Sequence, residues 1–184
     1  MPDPANEKNE DNALRWAGYL SHYVQDNCQP QHATADYKSV SYFADKRKAP
    51  NVHSEVEWRM NDDEKQPFPQ LRADYWEALQ ASLAALTPDK AKPGDDLWLD
   101  TLKISDHSYQ QLPLIGLAAM HAAGQAGTPE NPTGPAGAFD TEKFFRFSID
   151  TPQGKLSVLQ MKANQQALAV RRTAAVLRRA WDEA

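Results

Sequence analysis

An all-α fold is predicted by three features of the chain: apolar residues recur at helical spacing, prolines close the segments that carry them, and no run reads convincingly as a strand. No internal repeat is visible. With 184 residues the chain is long enough for one domain with a substantial core and too short for two comfortable ones.

Each element follows from local pattern. Residues 1–11 are almost devoid of apolar side chains and are expected as a flexible arm ahead of a single helical domain spanning 12–184. From Ala13 onward, Leu14, Trp16, Ala17, Leu20, Tyr23 and Val24 fall at helical spacing, and Pro30 stops that helix by withholding a backbone donor. Residues 34–50 are polar, with a basic cluster at Lys46, Arg47 and Lys48, and read as a loop. Asn51 suits an N-cap for a second helix over NVHSEVEWRM. After a loop at 61–70, broken by Pro67 and Pro69, a third helix over 71–86 carries Tyr75, Trp76, Leu79, Leu83 and Leu86.

A further helical region covers about 95–123, interrupted near Pro113, and 124–137 is a Gly/Pro-rich loop that Phe139, Phe144, Phe145 and Phe147 dock on the core. Thr151-Pro152 reads as the start of a long last helix with one apolar stripe: Leu156, Leu159, Ala163, Ala167, Val170, Ala174, Leu177 and Trp181. Its basic residues are expected as solvated charge opposite that stripe. Trp16, Trp58, Trp76, Trp98 and Trp181 are expected as core anchors, with Trp58 set apart because it follows Glu57 directly.

Bulk properties exclude some classes and leave others open. A net charge of −5 gives no general attraction to phosphate backbones or anionic membranes, although a bound cation would reverse the field locally. The single Cys28 rules out an intrachain disulfide framework and is expected as a small buried residue. No apolar run approaches the roughly 20 residues of a membrane span. The N-terminus has neither the basic nor the apolar region of an export signal.

Chemistry is concentrated in HYVQDNCQPQH and NVHSEVE. His22 and Asp26 are four apart, His32 lies six further on, and His53 and Glu57 are again four apart, so that three of the five histidines share one short stretch with two carboxylates. Pairs at i,i+4 project from one helix face, and imidazole mixed with carboxylate suits zinc. His32, His53 and Glu57 make a set of two imidazoles and one carboxylate, which leaves a fourth tetrahedral position open for water. No catalytic side chain is expected beyond that water. His22 and Asp26 are half of a second site. His107 and His121 have no partner at ligand spacing and are expected to be structural.

At these residues the chain resembles the superfamily of zinc-dependent phospholipase C and S1/P1 nuclease, helical enzymes that hydrolyse phosphodiesters with three clustered zinc ions. The spacing fits all five positions, and Gln29-Pro30 also matches the segment before the third ligand. The resemblance implies that His22 and Asp26 serve the paired zincs, the aspartate bridging them, while His32, His53 and Glu57 hold the third ion. It is best over about 12–60. Family enzymes also carry an N-terminal tryptophan and further histidine and aspartate ligands upstream of this segment, where this chain has only its polar arm. Trp16 lies within a helix and has no free amino group to chelate with. The expected fold is therefore an incomplete phospholipase C/P1 nuclease-like domain, the C-terminal portion of such an enzyme. One complete zinc site is expected of the three.

The implied function is a zinc-dependent phosphoesterase acting on a phospholipid or a nucleic acid. Glu57, in place of the aspartate usual in the nucleases, favours the phospholipase branch. The alternatives are an S1/P1-type nuclease and a non-catalytic helical module holding one vestigial or structural zinc. Location follows from the same question: secreted or periplasmic if a signal-bearing half lies upstream, cytoplasmic otherwise.

Overall fold

The computed structural model describes residues 4–60, 68–124, 126–128, 131–133 and 139–183. Helix dominates, as the periodicity predicts. Helix α1 spans Pro4–Asn27 and is followed by a single 3-10 turn, Pro30–Ala33. Its start differs from expectation: residues 4–11 of the expected arm are its first turns. Pro4 is preset for a first helical position, and alanine, glutamate and lysine, which follow it in sequence, are strong helix formers.

The loop at 34–50 contains two more 3-10 turns, Val40–Tyr42 and Lys46–Lys48, the first pinned by the Asp36 carboxylate, which accepts from the Val40 amide at 2.8 Å and the Ser41 amide at 3.1 Å. Helix α2, Val52–Trp58, starts where Asn51 caps the Ser54 amide. Helix α3, Pro69–Ala85, uses Pro69 as its first residue, and a one-turn α4, Pro88–Ala91, follows. Expected features at 61–67 lie outside the described residues. Helices α5, Leu97–Tyr109, and α6, Leu112–Ala122, are separated at Gln110-Gln111, the interruption expected near Pro113.

Strands are present where none was expected. Within the Gly/Pro-rich loop, β1 (Ala126–Thr128) pairs antiparallel with β2 (Asn131–Thr133). After α7, Thr141–Arg146, a hairpin joins β3 (Ser148–Thr151) to β4 (Gly154–Ser157). Thr151-Pro152 is therefore the hairpin turn and not a helix start. The Thr151 hydroxyl accepts from the Gln153 amide and donates to the Gly154 carbonyl at 2.7 Å, and Gly154 takes a φ of 115° that a side chain resists. Helix α8, Val158–Asp182, begins instead at Ser157, whose hydroxyl caps the Gln160 amide at 3.1 Å.

The core lies between α2, α3, α6, α7 and the first half of α8. Val52, Tyr75, Ile115, Ala118, Phe144, Phe145, Val158 and Ala163 are each 0% exposed. Burying such a side chain stabilises the fold by about 1.5–3 kcal/mol for the larger aliphatic and aromatic types. Phe139 and Phe147 pack against this cluster, as expected for the segment that returns from the loop. The stripe of α8 is buried only in part: Leu159, Ala163 and Ala167 are covered, whereas Val170, Ala174 and Trp181 are exposed.

The tryptophans overturn the expectation that they anchor the core. Trp16, Trp58, Trp76, Trp98 and Trp181 are all exposed, from 40% at Trp76 to 81% at Trp181. On α1 Val24 is buried and Ala17, Leu20 and Ser21 are half-buried, and Trp16 and Tyr23 fall to the side of that stripe. No helix among the described residues is long and apolar enough to cross a membrane.

One glycine has a testable role. Gly116 lies in the middle of α6 directly beneath the Tyr42 ring, and a Cβ there would overlap three ring carbons. In an open helix Gly→Ala gains about 1 kcal/mol. Here Gly116→Ala is expected to destabilise by about 1–3 kcal/mol, because the ring and the loop behind it must move. Urea unfolding measures this, and a variant as stable as the parent would show that Tyr42 does not pack on α6.

Candidate metal centre

The five residues singled out by spacing lie side by side. His22 and Asp26 project from the last turns of α1, His32 sits in the 3-10 turn that follows Pro30, and His53 and Glu57 share one face of α2. His22 Nε2 is 3.2 Å from one oxygen of Asp26, and His32 Nδ1 is 3.2 Å from the other. His32 Nε2 stands 3.1 Å from His53 Nε2, with the rings stacked at 5.2 Å, and His53 Nδ1 is 3.5 Å from Glu57. The ligand groups thus form one unbroken series.

Not all five meet at one point. Only His32, His53 and Glu57 each offer a ligand atom such that all three atoms lie within 4.8 Å of one another. Zinc bonds of about 2.0–2.1 Å in a tetrahedron put neighbouring ligand atoms about 3.3 Å apart, so small side-chain movements would bring this trio around one ion. Side-chain exposure rises from His53 at 20% through His32 at 28%, Glu57 at 33% and Asp26 at 38% to His22 at 69%. Burial holds the His53 imidazole below its usual pKa against the opposing charge of Glu57, with His32 and Lys38 adding to the lowering. A neutral imidazole is the ligating form. His22 and Asp26 adjoin the trio through Asp26 and complete no set of three among the described residues.

Local contacts hold the trio in place. Gln31, fully buried, donates to the Tyr37 carbonyl at 2.7 Å, and the Tyr37 ring meets His53 edge-on at 5.5 Å. Two cavities open on either side of His32 and Asp26. One, of about 410 Å³, is lined by polar groups including Asn27, Gln31, Tyr37 and Ser105. The other, of about 620 Å³, runs past Glu57 to Trp58, Met161, Lys162 and Val170 and has a largely apolar wall.

Cys28 lies between the ligands in sequence but is 2% exposed, and burial pushes its thiol up to about 12, with Arg172 opposing. It stays a protonated core residue, as expected. His107 and His121 are exposed on α5 and α6, outside the ligand series.

Sequence spacing did not reveal Lys162 and Gln165 of α8. Both are 5% exposed and both border the larger cavity. The available signal was a lysine three residues after Leu159 on an apolar stripe, where a solvated charge is out of place. Burial draws the Lys162 ammonium down to about 8, with Glu57 opposing, so it remains charged at neutral pH.

Comparison with protein-family models, with curated proteins and with solved structures returns no match for this chain.

Proposed function

We propose that this chain is a zinc-dependent phosphoesterase that hydrolyses phosphodiester bonds in the manner of a phospholipase C. The observation that carries the reading is the convergence of His32, His53 and Glu57 at the junction of two cavities. These three residues would hold the ion, and their count leaves one position for a reactant. Zinc bound there supplies an activated water and a Lewis acid for a phosphoryl oxygen. Glu57 brings the negative charge that makes the set selective for a divalent cation. The two cavities give a diester room for both of its substituents, which a monoester would not need. The apolar wall formed by Met161 and Val170 suits an acyl-bearing arm better than a sugar, and Glu57 agrees with the phospholipase branch of the resemblance.

A nuclease of the S1/P1 type is the second reading. It is favoured by Trp58, 58% exposed at the edge of the larger cavity, where a base could stack. A third, a non-catalytic module with one structural zinc, is favoured by the exposed, incomplete pair His22 and Asp26.

The test is direct. Purified chain loaded with zinc and desalted is expected to retain one equivalent by elemental analysis, and the double variant His32→Ala/His53→Ala to retain none. Hydrolysis of bis(4-nitrophenyl) phosphate is expected from the parent and to fall at least 100-fold in Glu57→Ala. Phosphatidylcholine vesicles and a single-stranded oligonucleotide then separate the two enzymatic readings. Retained zinc without hydrolysis of any of the three substrates would leave only the structural module.

A further inference from the structure

The two segments that carry the candidate ligands are joined through the loop at 34–50, yet the backbone carbonyls at the ends of both are held by the same helix. Lys162 Nζ donates to the Val56 carbonyl at 2.5 Å and reaches the Glu57 carbonyl at 3.4 Å, in the last turn of α2. Three residues later on α8, Gln165 Nε2 donates to the Cys28 carbonyl at 2.9 Å, immediately after α1 and ahead of His32. Gln165 also donates to the Ser108 hydroxyl at 2.9 Å, and that hydroxyl donates to the Asn27 carbonyl at 2.7 Å.

These bonds are well placed to act. The last carbonyls of a helix have no partner within it, and a cation at that end is stabilised by the helix dipole. With only seven residues, α2 cannot hold its own geometry, and it carries two of the three ligands. Lys162 is further confined by the Tyr75 ring, 5.4 Å from its Nζ, and Tyr75 is itself fully buried and bonded through its hydroxyl to Gln166. Such a lysine has little freedom to adopt another pose.

We infer that Lys162 and Gln165 are positioning residues: together they form a clamp on α8 that sets the distance between the His32 turn and the His53–Glu57 face, and so preforms the metal centre. The inference rests on the proposed function, since it assigns the clamp to that site. Neither side chain is a ligand or a catalytic group.

Lys162→Met keeps the aliphatic stem and removes the donor. Gln165→Leu does the same for the second arm, and Leu114→Ala, in the core on α6, serves as a control for general destabilisation. Two measurements are made on the full chain: cobalt affinity with the visible absorption of the cobalt-loaded protein, and amide hydrogen exchange without metal. Each clamp variant is expected to weaken cobalt binding by about 10- to 100-fold and to change the absorption spectrum, as loss of groups that orient ligands does elsewhere. Exchange is expected to accelerate over 54–60 in Lys162→Met and over 28–33 in Gln165→Leu, beyond the uniform change in the control. The clamp is overturned if exchange rises no more in those segments than in the control, or if local exchange rises while cobalt affinity and spectrum match the parent. Should the parent bind no cobalt, the metal-site reading fails, and the clamp as a device for that site falls with it. Faster exchange confined to the two segments would then identify the same residues as purely structural, which separates the two failures.

Discussion

Zinc in excess is expected to raise the thermal unfolding midpoint of the parent chain, and Glu57→Ala to abolish the rise. An ion that binds the folded state alone stabilises it by about 2.7 kcal/mol at 100 times its dissociation constant, which in a domain of this size shifts the midpoint by roughly 5–10 °C. The folded chain is the only state that brings His32, His53 and Glu57 within 4.8 Å of one another, because His32 and His53 stand on different elements. Removing the Glu57 carboxylate leaves two imidazoles and no negatively charged ligand, a set that binds zinc far more weakly. The informative comparison is His22→Ala. His22 is the most exposed of the five and belongs to no complete set, so its removal is expected to preserve most of the shift. Calorimetry with and without zinc decides the matter. An equal loss in His22→Ala and Glu57→Ala would mean that the ion sits across the whole series and not in the trio.

The second large effect concerns the core. Phe144→Ala is expected to destabilise the chain by about 3–5 kcal/mol, the usual cost of deleting a buried aromatic ring, and to lower the midpoint by roughly 10 °C. Phe144 is 0% exposed, stacks edge-on with Phe145 at 5.2 Å and meets Phe139 at 5.5 Å. It therefore ties α7 to the segment returning from the Gly/Pro-rich loop. Trp98→Ala offers the contrast. At 72% exposed, that ring is expected to change stability by less than about 0.5 kcal/mol despite its greater size. Chemical denaturation of both variants checks the pair. A large loss at Trp98 would show that its exposed face is covered in solution.

These expectations also mark where local pattern was informative. The Asn51 cap, a break close to Pro113 and a third helix, expected over 71–86 and observed at Pro69–Ala85, depend on contacts within a few residues, and the chain states them openly. The hairpin at 148–157 is not legible in local pattern, because Thr-Pro serves both as a helix start and as a turn. The choice fell to Gly154, whose positive φ closes the turn, and to the pairing of β3 with β4. The tryptophans differ from expectation for another reason. Periodicity shows that a helix has an apolar side, but several neighbouring stripes on α1 and α8 satisfy it, and only the packed partners select which one is covered.

By itself the sequence determined the helical character of the chain and the two ligand pairs His22/Asp26 and His53/Glu57, because i,i+4 spacing is a property of the helix and needs no partner, with His32 marked by its place just past Pro30. Tertiary structure alone decided that His32 meets His53 at 3.1 Å and that His22 stays at the margin. It also placed Lys162 and Gln165 against the carbonyls at the ends of both ligand-bearing segments. Those contacts span more than a hundred residues of chain, and their geometry is set by how α8 packs against α1 and α3. Spacing along a chain specifies which side chains share a face; only packing specifies which faces come together.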